Sequence, residues 1–257
     1  MSDDSSPDKA EAEDFAIDED DQHDLKPSES SESEVIKSHL QSGELNFNFI
    51  AYEEKIVIVG ASGSGKTYLA NQIMKGLNGI TVWVFDPNYQ FHSSRAMVFN
   101  DLSEMLKVYD QAKRGHYILQ PHDSSEHTFR RFNAEAFKRG NIVLIEDEIH
   151  NWLSKQKVLK EFNQVILSGR PRGISVISIS SRPASCPNHI LSNVKHVFAF
   201  KLNLESDVKF LEGYLGNDVW ILMPPDKRAR LKDEPALEKY TFFYRDLDMD
   251  HGVLGKV

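Results

Sequence analysis

One short run constrains this chain more than any other, Gly60-Ala-Ser-Gly-Ser-Gly-Lys-Thr67. It matches the pattern Gly-x4-Gly-Lys-Ser/Thr at every defined position. A β-branched apolar run, Lys55–Val59, precedes it, and a segment of helical character follows it over residues 66–77. A strand, a glycine-rich loop and a helix in this order form a cradle of backbone N–H groups for phosphate oxygens. A flexible glycine–serine linker is the alternative, but it does not account for the flanking strand and helix.

Each position of this loop has an expected role. The backbone N–H groups surround the phosphates, Lys66 reaches the β- and γ-phosphates, and the Thr67 hydroxyl is a ligand of Mg²⁺. Ser64 adds a further donor. The loop therefore predicts ATP and Mg²⁺ as cofactors. The residues expected to contact the nucleotide are Gly60, Ala61, Ser62, Gly63, Ser64, Gly65, Lys66 and Thr67.

Three acids, Glu146-Asp147-Glu148, end the apolar run Ile142-Val-Leu-Ile145. A buried strand would carry them to the carboxyl end of a parallel sheet, where ligands bind in such folds. We expect Asp147 to hold the magnesium ion and Glu148 to orient or deprotonate an attacking water. A solvated loop after a strand is the alternative. The solvated loop is the less favoured interpretation, because the acids follow the phosphate loop by about 80 residues.

Apolar runs and segments of helical periodicity alternate along the rest of the chain. This alternation predicts βαβ units with right-handed crossovers and a mostly parallel sheet. Two late aromatic segments, 219–222 and 240–244, are expected to be strands of an edge hairpin. The other expected strands are 80–85, 117–121, 141–145, 174–180 and 195–201, and the other expected helices are 102–113, 126–138, 158–167 and 205–215.

Charge is distributed unevenly along the 257 residues, whose net charge is −9. Residues 1–34 contain 14 acidic and 2 basic residues, and the remainder contains 25 acidic and 28 basic ones. The acidic segment has too few apolar residues to bury a core. We therefore expect residues 1–44 to be a disordered tail and residues 45–257 to form one domain. Because that domain is slightly basic, its charge leaves nucleic acid open as a partner without arguing for it.

Several classes of protein are disfavoured. The single cysteine, Cys186, excludes an intrachain disulfide and is consistent with a reducing compartment. No apolar run approaches the roughly 20 residues of a membrane span, and the acidic first residues do not resemble a secretory signal. A soluble, intracellular protein is therefore expected. The irregular spacing of His116, His122 and His127, without a Cys/His cluster, argues against a structural zinc site.

Other charged residues stay open between a functional and a structural role. Asp86, at the end of the second expected strand, is either a ligand of substrate or metal or a cap of its own loop. One of Arg170, Arg172 and Arg182 could neutralise the γ-phosphate of a neighbouring subunit, although a salt bridge or a nucleic-acid contact is the alternative. The basic run 227–232 is either a phosphate contact or a solvated loop.

Motifs in a fixed order and spacing follow the phosphate loop. They are Val84-Phe-Asp86-Pro87-Asn-Tyr-Gln, Ile145-Glu-Asp147-Glu148-Ile-His150, Ser168-Gly-Arg170-Pro-Arg172-Gly173-Ile174, Ser178-Ile-Ser-Ser181-Arg182-Pro183, Leu191-Ser-Asn193 and Val197-Phe-Ala-Phe200. With the loop, and over about residues 55–215, they resemble the FtsK–HerA superfamily of DNA-pumping ATPases, in particular its viral genome-packaging branch. One position departs from the family pattern, because Ser181 stands where a glutamine usually precedes Arg-Pro.

The resemblance implies an α/β fold, a P-loop NTPase of the RecA/FtsK type with a mostly parallel central sheet in a three-layer sandwich. It implies an ATP-hydrolysing motor, a homo-oligomeric ring of five or six subunits that translocates double-stranded DNA and packages a viral genome. Double-stranded DNA and capsid proteins are the implied partners, and the host cytoplasm and the virion are the implied locations. The residues that it assigns to catalysis, metal binding and trans action are Lys66, Thr67, Asp147, Glu148, Ser181 and either Arg170 or Arg172.

Three other functions stay open. A cellular or plasmid DNA pump of the same superfamily is barely separable from a packaging motor by sequence. A small-molecule kinase predicts a monomer whose hydrolysis is indifferent to DNA, and Glu148 together with the segment 170–174 argues against it. A nucleotide-gated switch predicts negligible turnover, which the complete acidic motif makes less attractive.

Overall fold

The structure is a computed structural model that describes residues 54–247 and 252–257. Its strands are β1 (Lys55–Val59), β2 (Val82–Phe85), β3 (Ala96–Phe99), β4 (His116–Leu119), β5 (Ile142–Glu146), β6 (Ile174–Ser180), β7 (His196–Phe200), β8 (Thr241–Asp246) and β9 (Val253–Lys256). Its α-helices are α1 (Lys66–Gly76), α2 (Leu102–Ala112), α3 (Glu126–Arg139), α4 (Lys160–Ser168), α5 (Asn188–Leu191) and α6 (Glu205–Leu215). The expected tail, residues 1–44, lies outside the described residues, so its boundary stays a prediction.

These nine strands form one sheet in the order β3-β4-β2-β5-β6-β1-β7-β8-β9. Strands β1 to β7 pair in parallel, whereas β8 is antiparallel to β7 and β9 is antiparallel to β8. The ends of the parallel strands therefore share one edge of the sheet, here called the carboxyl edge. Because β6 lies between β1 and β5, the residues that follow β6 lie between the phosphate loop and the acidic motif.

Alternate residues of the strands pack on opposite faces of the sheet. In β1, Val57 and Val59 join a core that also contains buried residues of α2, α3, α4, α5 and α6. Ile56 and Ile58 join a second core on the other face, against α1. Near-continuous apolar strands are expected where both faces are covered. The expected α/β fold, with helices on both sides of a mostly parallel sheet, is confirmed.

The helices of the described residues are short. The longest, α3, has 14 residues, and α1, α2 and α6 have 11 each. None of the described helices combines the length and the apolarity of a membrane span. Each helix instead buries one apolar side against the sheet, as α3 does with Phe129, Phe132 and Ala136.

Two elements differ from the expectation. The strand expected at 219–222 is wrong, because Asn217–Leu222 is a 3-10 helix whose apolar side chains pack into the core. A short, wholly apolar run does not distinguish a strand from a buried helical turn. The hairpin exists, but β8 pairs with β9 instead. The sequence did not predict β3, a four-residue strand at the sheet edge whose Val98 is 49% exposed.

Candidate nucleotide-binding site

The loop between β1 and α1 is anchored to both strands that flank β1. The Gly60 N–H donates to the carbonyl of Ser180 at 3.3 Å, and the Ala61 N–H donates to the carbonyl of Lys201 at 2.7 Å. Gly60 has a φ of 151°, and a Cβ there would lie 2.6 Å from Cβ of Phe200. Only glycine fits this position, because a side chain would collide with β7.

Two polar side chains of the loop, Ser64 and Lys66, are placed to donate to a phosphate chain. The Ser64 hydroxyl is buried and makes no hydrogen bond. The Lys66 ammonium donates to the carbonyl of Ala61 at 3.1 Å. Burial lowers the pKa of Lys66, while the charges of Glu148 and Asp147 act in the opposite direction. The loop therefore fits an anionic ligand, which would supply acceptors to both side chains.

Asp147 is a buried carboxylate without a hydrogen-bond partner. It is 1% exposed, and neither of its carboxylate oxygens accepts a hydrogen bond. Burial, reinforced by the charges of Glu148 and Asp86, raises its pKa to about 7, although Lys66 opposes the shift. A carboxylate left this way fits a divalent cation, which would supply positive charge and take up the free oxygens. No group of three or more His, Cys, Asp or Glu residues in the described ranges could hold a metal ion. A cation at Asp147 would therefore need other kinds of ligand to complete its coordination shell.

Glu148 is held as a carboxylate by two neighbours. Its Oε2 accepts hydrogen bonds from the Ser181 hydroxyl at 2.7 Å and from the Ser181 N–H at 3.2 Å. His150 Nδ1 lies 3.1 Å from the same oxygen. Burial raises the pKa of Glu148, but these hydrogen bonds and the charge of Lys66 outweigh it and hold the pKa at about 2. The residue also has a φ of 52°, an uncommon conformation for a side chain other than glycine.

The sequence predicted Ser181 and Glu148 separately and assigned no role to His150. The structure places the three side chains in contact at the carboxyl edge. His150 also lies 3.3 Å from the Ser180 hydroxyl, which ties this group to the end of β6. The only signal for the contact was the order of motifs, since nothing in the sequence shows that β6 lies beside β5.

Glu146 does not share the environment of the other two acids. It is fully buried beneath α3, where the Asn133 amide donates to its Oε1 at 2.7 Å and its Oε2 has no partner. Burial raises its pKa to about 8, despite the hydrogen bond from Asn133. Glu146 is therefore neutral near pH 7 and belongs to the core under α3, although it stands in the acidic run.

Replacing this buried acid by its neutral isostere should stabilise the protein. In the unfolded chain the group titrates near 4.5, so between that pH and about 8 the folded state binds more protons and stability falls as pH rises. We expect Glu146→Gln to raise the free energy of unfolding by about 1–3 kcal/mol at pH 8 and by roughly nothing at pH 5. Denaturant unfolding in EDTA at both pH values measures the difference.

The control for that measurement is Glu205→Gln, which removes an exposed carboxylate from the first turn of α6. Its effect on stability should not grow with pH in this way. A Glu146→Gln variant that is less stable than wild type at pH 8 would show that the folded protein needs the charged form of Glu146.

Asp86 caps its own loop. Its carboxylate accepts hydrogen bonds from the N–H groups of Gln90 and Phe91 at 3.0 and 2.8 Å, and from the Gln120 amide at 2.8 Å. Three donors leave this buried group well satisfied. Its charge nevertheless reaches Asp147, whose pKa it helps to raise. Of the two roles open from the sequence, the cap accounts for its contacts.

The three arginines around β6 lie at opposite ends of that strand. Arg182 follows β6 at the carboxyl edge and pairs with Asp207 at 3.4 Å. Arg170 and Arg172 precede β6, a strand of seven residues that spans about 20 Å. Neither can therefore reach the phosphate loop of the same chain. Arg172 donates to the carbonyls of Phe137 and Lys138 at 2.6 and 2.9 Å, which caps the end of α3.

The remaining candidates have structural surroundings. Arg228, within the basic run 227–232, is 3% exposed and donates to backbone carbonyls that include those of Ile221 and Met223. Its side chain therefore holds together the backbone of the segment after α6, and it is not available to bind the phosphates of a nucleic acid. His116 is buried with Nε2 3.0 Å from the carbonyl of Leu77.

A phosphate cradle on the carboxyl edge of a parallel sheet, facing two carboxylates across one strand, places this chain among the P-loop NTPases. A family model described as an AAA domain matches residues 51–180, about half of the chain. The chain belongs to this family.

Comparison with known proteins gives one sequence relative and several structural ones. A uridine kinase of Staphylococcus haemolyticus (strain JCSC1435) is 28% identical over 105 residues, which cover 35% of this chain and 50% of that protein. The chain thus matches about half the length of this curated relative.

Two structures of genome packaging NTPases have a similar fold. The NTPase B204 of Sulfolobus turreted icosahedral virus 2, in complex with AMPPCP, superposes with a TM-score of 0.60 at 17% identity, over 82% of this chain and 99% of that one. B204, the DNA-packaging ATPase of Sulfolobus turreted icosahedral virus, gives 0.58 at 20% identity, over 80% and 98%. At these identities the likeness shows a shared fold.

Proposed function

We propose that this protein is an ATPase motor that translocates double-stranded DNA and packages a viral genome into a capsid. The observation that carries the hydrolytic part is Glu148, an ionised carboxylate fixed by Ser181 and His150 at the same edge as the phosphate loop. A hydrolase needs such a group for water, whereas a kinase mainly needs a pocket for its acceptor. With a pKa of about 2, Glu148 is a weak base, so it acts by orienting water through an accepted hydrogen bond.

The surrounding residues divide the other tasks. Lys66 leaves the carbonyl of Ala61 and binds the β- and γ-phosphates, while the loop N–H groups and Ser64 donate to the remaining oxygens. Asp147 and Thr67 would hold Mg²⁺, which would supply positive charge to the phosphates. Ser181 lies between the loop and the acids, and its hydroxyl positions Glu148. The γ-phosphate is thereby sensed through Glu148, since the Ser181 donor is already engaged.

The translocating part of the proposal is supported by the fold and by the order of the motifs. The likeness to the packaging NTPases extends over 98–99% of their length, so the chain has a counterpart for nearly all of that fold. The chain would work as a ring of five or six copies, with double-stranded DNA and capsid proteins as partners. The host cytoplasm and the virion are the proposed locations.

Steady-state ATP hydrolysis at low salt, with and without linear double-stranded DNA, tests this function. We expect DNA to stimulate turnover at least several-fold, because a motor of this kind couples ATP hydrolysis to movement along DNA. Double-stranded RNA of mixed sequence and the same length is the control for a general effect of a polyanion. Equal turnover with and without DNA would contradict the motor and favour the kinase or the switch.

A trans-acting arginine would make activity depend on the composition of the ring. We expect Arg170→Ala and Lys66→Ala each to lose turnover alone and to recover part of it when mixed, because a site that takes Lys66 from one subunit and Arg170 from its neighbour is then complete. Arg131→Ala, at an exposed arginine of α3, is the control and should keep the turnover of wild type. Wild-type turnover by Arg170→Ala alone, or no recovery in the mixture, would exclude a finger at that position. Arg172→Ala should instead lower stability, since it removes the cap of α3.

A small-molecule kinase is the second candidate, and the match to the uridine kinase favours it. That match covers half of the relative and does not extend to the rest of its chain. A kinase would transfer phosphate to an added nucleoside faster than it hydrolyses ATP. ATP labelled at its γ-phosphate, incubated with uridine, distinguishes the two, because the label appears in uridine monophosphate only if the chain is a kinase.

A further inference from the structure

The order of the strands sets the direction in which a bound nucleotide must lie. The γ-phosphate has to face Asp147 and Glu148, which follow β5, on one side of the phosphate loop. Strand β1 enters the loop between β6, on the side of β5, and β7, on the other side. The phosphate chain therefore runs across the loop from the β5 side, and the nucleoside emerges above the end of β7 and the start of β8.

An aromatic residue lies at that place. Tyr240 directly precedes β8, and because β8 is antiparallel to β7, with Phe242 opposite Phe200, Tyr240 lies beyond the end of β7 at the carboxyl edge. Its ring borders the phosphate loop, since the ring Cδ1 is 3.2 Å from the position of a Cβ on Gly65. The residue is 41% exposed. The buried ring of Phe200 lies against the same glycine, and Tyr240 continues this aromatic surface toward solvent.

The backbone holds Tyr240 in an unfavourable conformation. Its φ is 67°, in the region that favours glycine. Its carbonyl accepts a hydrogen bond from the Val257 N–H at 3.2 Å, which ties the turn before β8 to the end of β9. Such a backbone conformation persists where its surroundings fix it, and the hydrogen bond from Val257 helps to do so here. Lys239 places its ammonium 4.8 Å from the centre of the ring, which adds a positive charge beside the proposed ligand.

We propose that Tyr240 stacks on the base of the bound nucleotide. This inference rests on the proposed binding of a nucleoside triphosphate by the loop. Tyrosine stacks on the face of any base and does not read its edge, so it recognises the nucleobase as a class. The residue thus adds affinity for the nucleoside, whereas residues 60–67 bind the phosphates.

The test separates the base from the phosphates. Equilibrium binding of Mg²⁺–ATP and of Mg²⁺–tripolyphosphate, which has no base, is measured for wild type, Tyr240→Ala, Tyr240→Phe and Tyr240→Trp. Tyr240→Ala should weaken ATP binding by about 5- to 100-fold and leave tripolyphosphate binding unchanged. The two aromatic variants should bind ATP within a few-fold of wild type, because they keep a stacking face.

Tyr89→Ala is the matched control. Tyr89 is also an exposed tyrosine with positive φ, 52% exposed at 59°, but it follows β2, beyond the acids and away from the nucleoside side. It should bind both probes as wild type does. Equal weakening of ATP and tripolyphosphate by Tyr240→Ala would overturn the proposal, because Tyr240 would then only support the loop. Unchanged ATP binding by that variant would also overturn it. Wild type that binds neither probe would overturn the nucleotide site itself.

Discussion

A Glu148→Gln variant is expected to bind Mg²⁺–ATP as tightly as wild type and to hydrolyse it about 10²–10⁴-fold more slowly. The amide keeps the shape of the side chain, but its neutral oxygen accepts a hydrogen bond from the attacking water more weakly than a carboxylate does. It also loses the charged hydrogen bonds that Ser181 and His150 now make. Binding is measured at equilibrium, and turnover is measured in single-turnover experiments, which separate the chemical step from product release.

The same substitution two residues earlier is the matched control for this prediction. Glu146→Gln changes a carboxyl group that is buried beneath α3 and bonded to Asn133, so it should leave turnover within a few-fold of wild type. Rapid hydrolysis by Glu148→Gln would move the water-orienting role to another residue. Equal losses of turnover in both variants would show that the substitutions disturb the structure of the acidic run 146–148 and do not reveal a specific role of Glu148.

The other large effect is expected from Lys66→Ala. Lys66 is 5% exposed, and its charge interacts with Glu148 and Asp147. Without the ammonium, two carboxylates face the phosphates with less positive charge between them, and one charged hydrogen bond is lost. We expect ATP affinity to fall by about 10- to 100-fold, as the loss of such a bond implies, and turnover to become undetectable. Isothermal titration with a slowly hydrolysed ATP analogue measures the affinity.

Lys75→Ala is the control for Lys66→Ala, since it removes a lysine from the far end of the same helix, α1. It should bind the nucleotide like wild type. If Lys66→Ala also bound with unchanged affinity, the assignment of residues 60–67 as the phosphate-binding loop would be wrong.

Most elements of the fold could be predicted from the sequence because their local signals agree with their surroundings. Strand β6 and helix α6 have the expected bounds, 174–180 and 205–215. Such strands are apolar on both faces, and such helices have one apolar side. By contrast, β3 is short and half exposed, and the 3-10 helix Asn217–Leu222 is wholly apolar over its last four residues, so neither has a period that identifies it.

The site was predictable in its parts but not in its arrangement. The motifs named Lys66, Asp147, Glu148 and Ser181, whose roles stay predictions. The sequence did not show that β6 lies between the loop and the acids, because strand order depends on packing between distant segments. It therefore gave no indication that the Ser181 hydroxyl donates to Glu148. Tyr240 had no motif at all, and only the antiparallel pairing of β8 with β7 brings it to the loop.

The central position of β1 also determines when this protein can acquire its phosphate loop during folding. Both neighbours of β1 come late in the chain, and Glu54, just before β1, bonds to Ser175, 121 residues further on. Contacts between such distant segments form slowly, since a long loop must close before they stabilise anything. A nascent chain that ends before β6 and β7 has the whole glycine-rich loop in its sequence but lacks both strands that anchor it. Nucleotide binding should therefore be among the last properties to appear as the chain folds.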